Sequence, residues 1–241
     1  MDFLIDLDTR IFLFFNGMHT SLLDTFMMLF TGRFIWVPMY LAIAMLMLKT
    51  FGKRLTLIYL VAIGVAITAT DQTCATLIRP YVERLRPSNL ENPLSQLAIV
   101  VDGYRGGSFG FPSCHAANSF ALATFVTLLL RRRRLSWAIF IWAALNSYSR
   151  LYLGVHYPGD LLVGAAIGSF YGAAFYLVAR RFTPWQRRES LQRLGRPLFY
   201  LPSRLQLAGA HSMGIGITAG DLAIGVGVLT VAFILAVSIM G

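Results

Sequence analysis

The sequence predicts an all-α integral membrane protein: a bundle of six transmembrane helices with its chemistry at the outer membrane interface. Three observations lead there. The first is composition: of 241 residues, 56% are hydrophobic and only 13% charged, about half the charge of an average soluble domain, and the mean hydropathy is +0.63. Second, apolar runs near 33–49, 56–78, 115–130, 135–150, 160–180 and 219–240 each approach the roughly 20 residues that cross a bilayer. Third, the net charge of +10 is distributed as membrane topology, not as a nucleic-acid surface. Lys49, Lys53 and Arg54, then Arg131 to Arg134, then Arg180, Arg181, Arg187, Arg188, Arg193, Arg196 and Arg204 fall on every second connection and hold 14 of the 21 lysines and arginines. The positive-inside rule makes those connections cytoplasmic and places 79–114 and 151–159 on the outer face.

Taken in order, Met1 to Thr20 lacks the basic start of a secretory signal, carrying Asp2, Asp6 and Asp8 instead. Leu4, Ile5, Leu7, Ile11, Phe12, Phe14 and Phe15 give it the apolar side of a helix lying in the outer interface. Next, either Ser21 to Phe30 forms a short helix broken at Thr31-Gly32-Arg33, or Ser21 to Lys49 runs as one tilted helix. In the fifth span Gly164, Gly168 and Gly172 recur every fourth residue, a face for close helix contact. Thr183 to Thr218, with Pro184, Pro197, Pro202 and many arginines, reads as a surface helix or linker beside anionic headgroups.

Chemistry concentrates in three clusters at the ends of apolar segments. They are Arg79 with Arg86-Pro87, Pro112-Ser113-Cys114-His115, and Ser149-Arg150 followed by His156 and Asp160. Three guanidiniums, two imidazoles, a hydroxyl and a carboxylate are what phosphate-ester cleavage needs without a metal or other cofactor. In this reading His156 is the nucleophile, Asp160 four residues on orients it, and His115 protonates the leaving group. Arg79, Arg86, Arg150, Ser113 and Cys114 cradle the phosphate. A thiolate at Cys114 beside His115 would also be activated, but His156 and Asp160 already supply a nucleophile with its orienter. Cys74 and Cys114 lack metal-ligand spacing and are read as free thiols. Arg84 and Arg105 alone read as headgroup-snorkelling arginines, and His19 and His211 as interfacial. Asp71, about two turns before Arg79, either orients Arg79 or another polar group in the bundle or is a helix-end residue. The loop from Arg86 to Phe111, rich in glycine near its end, reads as a binding element whose Leu97 to Val101 dips into the interface.

These clusters, in this order between apolar spans, resemble the type 2 phosphatidic acid phosphatase family over roughly residues 20–180. Those are membrane lipid phosphatases with a pocket similar to that of vanadium haloperoxidases. Two positions depart from the family pattern: Arg79 stands where lysine is usual, and Cys114 where glycine is usual. The resemblance implies a phosphohistidine intermediate and an amphiphilic lipid phosphate as substrate. It ranks undecaprenyl diphosphate first and lipid A 1-phosphate second, followed by phosphatidylglycerol phosphate and phosphatidic acid. A lipid-binding or transport protein that holds phosphate without hydrolysing it also explains the arginines, but not His156 paired with Asp160 and opposed by His115. The chain is accordingly divided into a catalytic membrane domain at 1–182, a basic cytoplasmic linker at 183–218 and a sixth transmembrane helix at 219–241, with membrane lipids and a lipid phosphate as its partners and the oligomeric state left open.

Overall fold

The computed structural model describes residues 2–182, 199–201, 215–217 and 219–240. Helices dominate: α1 (Asp2–Asn16), α2 (Ser21–Phe30), α3 (Val37–Gln72), a π-helical stretch (Thr73–Ile78) continuing into α4 (Arg79–Val82), α5 (Cys114–Leu130), α6 (Arg133–Tyr152), α7 (Pro158–Arg180) and α8 (Ala219–Met240). Two three-residue strands, β1 (Phe199–Leu201) and β2 (Ile215–Ile217), pair antiparallel, a small departure from the all-α expectation. Most of the linker, and His211 with it, lies outside the described residues.

Of the two readings for residues 21–49, the broken one holds. Thr20 caps α2 by accepting from the Leu23 N–H at 3.2 Å, and the indole N–H of Trp36 donates to the Phe30 carbonyl at 2.8 Å, closing the corner. Downstream, Gly52 has φ 75°, which an L side chain rarely adopts, and it splits α3 into two limbs. The rings of Phe51 and Tyr59 meet at 5.0 Å, although eight residues of straight helix would set them about 12 Å apart. The limbs therefore fold back on each other, with Lys49, Lys53 and Arg54 at the reversal.

Three stretches among the described residues are long and apolar enough to cross a membrane: Phe34–Val82, Pro158–Arg180 and Gly220–Met240. The first, at 49 residues, includes both limbs of α3. Cys114–Leu130 is apolar but shorter, and α6 carries Arg133, Arg134, Asn146 and Arg150, which dilute its apolarity.

The bundle centres on α5 and α7, whose contact is made by small residues. A Cβ at Gly164, Gly168 or Gly172 would run into the backbone carbonyl of Ser113, Ala117 or Ala121 respectively. Glycine lets the two backbones touch, the usual way helices associate without a hydrophobic drive between them. Gly168→Ala is thus expected to destabilise the fold by about 1–3 kcal/mol, read as a lower midpoint of thermal unfolding in detergent. Gly64→Ala, where an added Cβ meets nothing within 4 Å, serves as the control that leaves the midpoint in place. Around this pair the core is aromatic, with edge-on contacts of Trp36 to Trp142 at 5.7 Å and Phe125 to Tyr176 at 6.0 Å.

Candidate active site

Five buried residues, Leu153 to Tyr157, connect α6 to α7. Gly154 turns the chain at φ +76°, and a Cβ there would sit 2.8 Å from the Ile99 carbonyl, so a close backbone approach also demands glycine. Pro158 opens α7 at a position where its missing N–H costs nothing. This stiff turn sets the direction of His156, which is 2% exposed. Its Nδ1 lies 3.3 Å from Asp160 Oδ2, and the same oxygen accepts the Tyr157 N–H at 3.0 Å.

On the other side of the ring, Arg86 Nη1 lies 2.8 Å from His156 Nε2. A guanidinium has donors and no acceptor, so Nε2 must present its lone pair and the ring proton resides on Nδ1, facing the carboxylate. Burial, followed by the positive fields of Arg86, Arg150 and Arg79, holds the imidazole pKa well below the usual histidine value. Arg86 is itself lowered to about 10, by burial first and then by Arg79 and Arg150. The result is a neutral imidazole with a fixed tautomer, its Nε2 lone pair turned toward cations.

The arginines are placed by three separate pieces of chain. Arg79 follows the π-helical stretch and donates from Nη2 to the Pro112 carbonyl at 3.1 Å and to Cys114 Sγ at 3.0 Å. Arg86, after α4, also donates to the Val155 carbonyl at 2.9 Å. Arg150, at the end of α6, donates to Thr31 Oγ1 at 3.0 Å and to the Tyr104 hydroxyl at 2.9 Å. The Nε atoms of all three are buried without a hydrogen-bond partner among the described residues. Buried donors left so are uncommon enough to require an explanation.

Arg79, Arg86, Cys114, His115, Arg150 and His156 line one cavity of ≈ 870 Å³, whose walls continue past Trp36, Ile43, Met47, Leu60 and Trp142. The three clusters therefore meet at a single place. Two predicted site residues are absent from the cavity wall: Asp160, which stands behind His156, and Ser113. Ser113 is fully buried and caps α5, its Oγ accepting the Ala116 N–H at 3.4 Å. Among the described residues no group of three His, Cys, Asp or Glu side chains is arranged to hold a metal ion.

Several readings of single residues change. Arg84 does not snorkel: its Nη1 donates to Asp160 Oδ1 at 3.0 Å and its Nη2 to Asp8 Oδ2 at 2.7 Å. Arg105 turns inward too, bonding the Ser88 carbonyl at 2.6 Å and holding the loop. His19 is largely enclosed, with its Nδ1 2.6 Å from Asp24 Oδ1 and its ring 4.3 Å from that of Tyr152. Asp71 accepts from Asn118 Nδ2 at 3.2 Å, so it orients a polar neighbour in the bundle other than Arg79. In the long loop Leu97 and Ile99 are exposed as expected of a dipping segment, but Val101 is buried against Met27, Tyr152, Leu153 and Val155. Tyr104, unforeseen, closes over Arg150. A tyrosine two residues before the Gly106-Gly107 pair was the available signal.

The sequence model described as the PAP2 superfamily matches residues 55–184, a stretch holding all three clusters. The chain belongs to the PAP2 superfamily. It is a membrane lipid phosphatase, a hydrolase. Among curated PAP2 relatives, the chain is 56% identical over 183 residues to the lipid A 4′-phosphatase of Bacteroides thetaiotaomicron, covering 76% of this chain and 81% of the relative. It is 32% identical over 178 residues to the lipid A 4′-phosphatase of Porphyromonas gingivalis, covering 74% and 75%. The fold is similar to that of the transmembrane PAP2-type phosphatidylglycerolphosphate phosphatase from Bacillus subtilis, with a TM-score of 0.58 and 19% identity over 77% of this chain and 90% of that one.

Proposed function

We propose that this PAP2 phosphatase removes the 4′-phosphate of lipid A through a phosphohistidine formed on His156. The observation that carries the phosphate chemistry is the convergence of three guanidiniums, each with a buried, unpartnered Nε, around a histidine whose unprotonated nitrogen faces them. Phosphate offers the acceptors such donors need, and arginine forks match its geometry.

In the first step His156 Nε2 attacks phosphorus, forming the P–N bond as the P–O bond to the sugar breaks. His115, on the same cavity wall, gives its proton to the departing oxygen. Asp160 stabilises the imidazolium character that develops, while Arg79, Arg86 and Arg150 offset the equatorial charge. In the second step water attacks phosphorus, His115 takes its proton, and the P–N bond breaks to release phosphate and neutral His156. Ser113 acts here through the α5 terminus it caps.

The cavity is polar at the histidines and apolar toward Ile43, Met47 and Leu60, which suits an amphiphile whose headgroup reacts while its chains stay in the bilayer. The two lipid A 4′-phosphatases support the choice of lipid. Undecaprenyl diphosphate, first in the sequence ranking, gives way to lipid A, and the 4′ position replaces the 1 position. The two limbs of α3 with α5, α6, α7 and α8 make six spans, with the basic connections cytoplasmic and the histidines on the periplasmic face of a bacterial inner membrane. In this arrangement 1–182 is the catalytic unit, 183–218 a cytoplasmic linker and 219–241 the last span.

Detergent-purified protein should therefore release phosphate from bis-phosphorylated lipid A faster than from undecaprenyl diphosphate, phosphatidylglycerol phosphate or phosphatidic acid. Fragmentation mass spectrometry should locate the loss at the 4′ carbon. Faster turnover of undecaprenyl diphosphate would restore the sequence ranking, and lipid binding without release would favour the transport reading.

A further inference from the structure

Asp160 has a second oxygen that the chemistry above leaves unused. It is 0% exposed at its side chain and accepts from Arg84 at 3.0 Å, while Arg84 is 25% exposed. From there the chain of charges leaves the catalytic unit's core. Arg84 Nη2 reaches Asp8 Oδ2 at 2.7 Å, and Asp8 is 15% exposed. Asp8 Oδ1 accepts the Gly159 N–H in the first turn of α7 at 2.7 Å. Gly159 permits this approach, because a Cβ there would stand 3.0 Å from Asp8 Oδ2. The Arg84 guanidinium also lies over the Tyr157 ring, its Cζ 3.8 Å from the ring centre.

Asp8 belongs to α1, a helix with Phe3, Leu4 and Phe14 exposed and otherwise remote from the reacting atoms. Two further contacts fix α1 to the His156 turn. Phe12 is fully buried, its ring 5.5 Å from that of Tyr157, and the Asn16 amide donates to the Tyr152 carbonyl at 2.8 Å. The helix is thus held at both ends of the turn that aims the histidine.

We propose that Arg84 and Asp8 are positioning residues: Arg84 clamps Asp160 so that its other oxygen stays on His156, and Asp8 fixes Arg84 from the amino-terminal helix. A lone buried carboxylate is costly to keep charged, and Arg84 supplies the counter-charge. The fork of its guanidinium bridges two carboxylates at once, which lysine cannot reproduce. Asp8 balances the added cation and, through Gly159, ties it to the helix that carries Asp160. The amino-terminal helix is in this way part of the apparatus that orients the nucleophile.

This inference rests on the roles given to His156 and Asp160 above, so His156→Ala is measured beside it. Asp8→Asn is expected to lower kcat about tenfold and Arg84→Gln about 100-fold, each with KM within a factor of about two, because neither side chain lines the substrate cavity. Arg84→Lys, which keeps the charge but not the fork, should fall between wild type and Arg84→Gln. In the double variant Asp8→Asn with Arg84→Gln, the loss in kcat should be smaller than the product of the two single losses, since the two side chains act on Asp160 as one unit. Elution as a single species and an unfolding midpoint near that of wild type confirm folding of each variant; Arg84→Lys and Asp8→Asn, both close in size to the native residues, carry the test if Arg84→Gln folds poorly. Wild-type kcat in Asp8→Asn and Arg84→Lys, with His156→Ala inactive, would overturn the positioning roles while leaving the mechanism. Activity surviving in His156→Ala would overturn the mechanism itself.

Discussion

His156→Ala is expected to lower kcat for phosphate release by roughly 10⁴-fold or more, the scale of losing a covalent nucleophile whose partners act as a unit with it. The protein should still fold, since the site is held by other bonds: Arg86 to the Val155 carbonyl at 2.9 Å and Arg84 to Asp160 at 3.0 Å. Binding of inorganic phosphate by the three guanidiniums should persist, measured by titration calorimetry on the purified variant. The contrast separates chemistry from binding, and a protein that only held phosphate would have no turnover to lose. Single-turnover assays with wild type should trap phosphate on the enzyme in an acid-labile form, and the variant should trap none. A kcat within tenfold of wild type would move the nucleophile elsewhere, Cys114 being the first candidate, since Arg79 lies 3.0 Å from its sulfur.

Much of the site was legible because its parts are local. His156 and Asp160 are four residues apart, Asp160 in the first turn of α7 and His156 in the turn just before it, so one short piece of chain brings them together. Arg79 and Arg150 each sit at a helix end, so the helix axes carry their guanidiniums to the same level. The fold was legible for a similar reason: charge alternation and apolar length are written residue by residue, and the reversal at Gly52 lies inside the basic segment where the sequence puts a connection. The contact between Gly168 and the Ala117 backbone followed from a four-residue period.

What escaped the sequence is long-range. Arg84 meets Asp8 and Asp160 across 76 positions each way, and no local pattern distinguishes it from an arginine at a headgroup. Asp8 read as part of the polar edge of a helix lying in the interface, and the structure turns it to Arg84 and Gly159. Ser113 was read as a phosphate ligand, yet a serine three residues ahead of an unpaired helical N–H is also a cap, and its Oγ accepts the Ala116 N–H at 3.4 Å. The π-helical stretch before Arg79 leaves no mark in composition, although it determines which way that arginine points.

Replacing Arg86 should produce the second-largest loss and also reveal the state of the nucleophile. Arg86→Gln removes one of three cations around the transferring phosphoryl group, which should cost about 10²- to 10³-fold in kcat. Its effect on pH dependence has a definite sign. An unperturbed histidine titrates near 6.5, but burial and the cations of Arg86, Arg150 and Arg79 hold His156 well below that. Wild-type kcat/KM should therefore show no downturn from His156 as the pH falls through 6.5, because the free enzyme keeps an unprotonated imidazole there. Deleting the Arg86 charge removes a field that disfavours protonation, so the pKa of His156 rises and the acid limb of kcat/KM moves to higher pH. Arg86→Lys keeps the charge and should keep the limb near its wild-type position. It should not recover the full rate, because an ammonium cannot bond the Val155 carbonyl and the phosphate with the geometry of a guanidinium. An acid limb that stays put in Arg86→Gln would mean that Arg86 does not face His156 in the working enzyme, and the cradle would then consist of Arg79 and Arg150 alone.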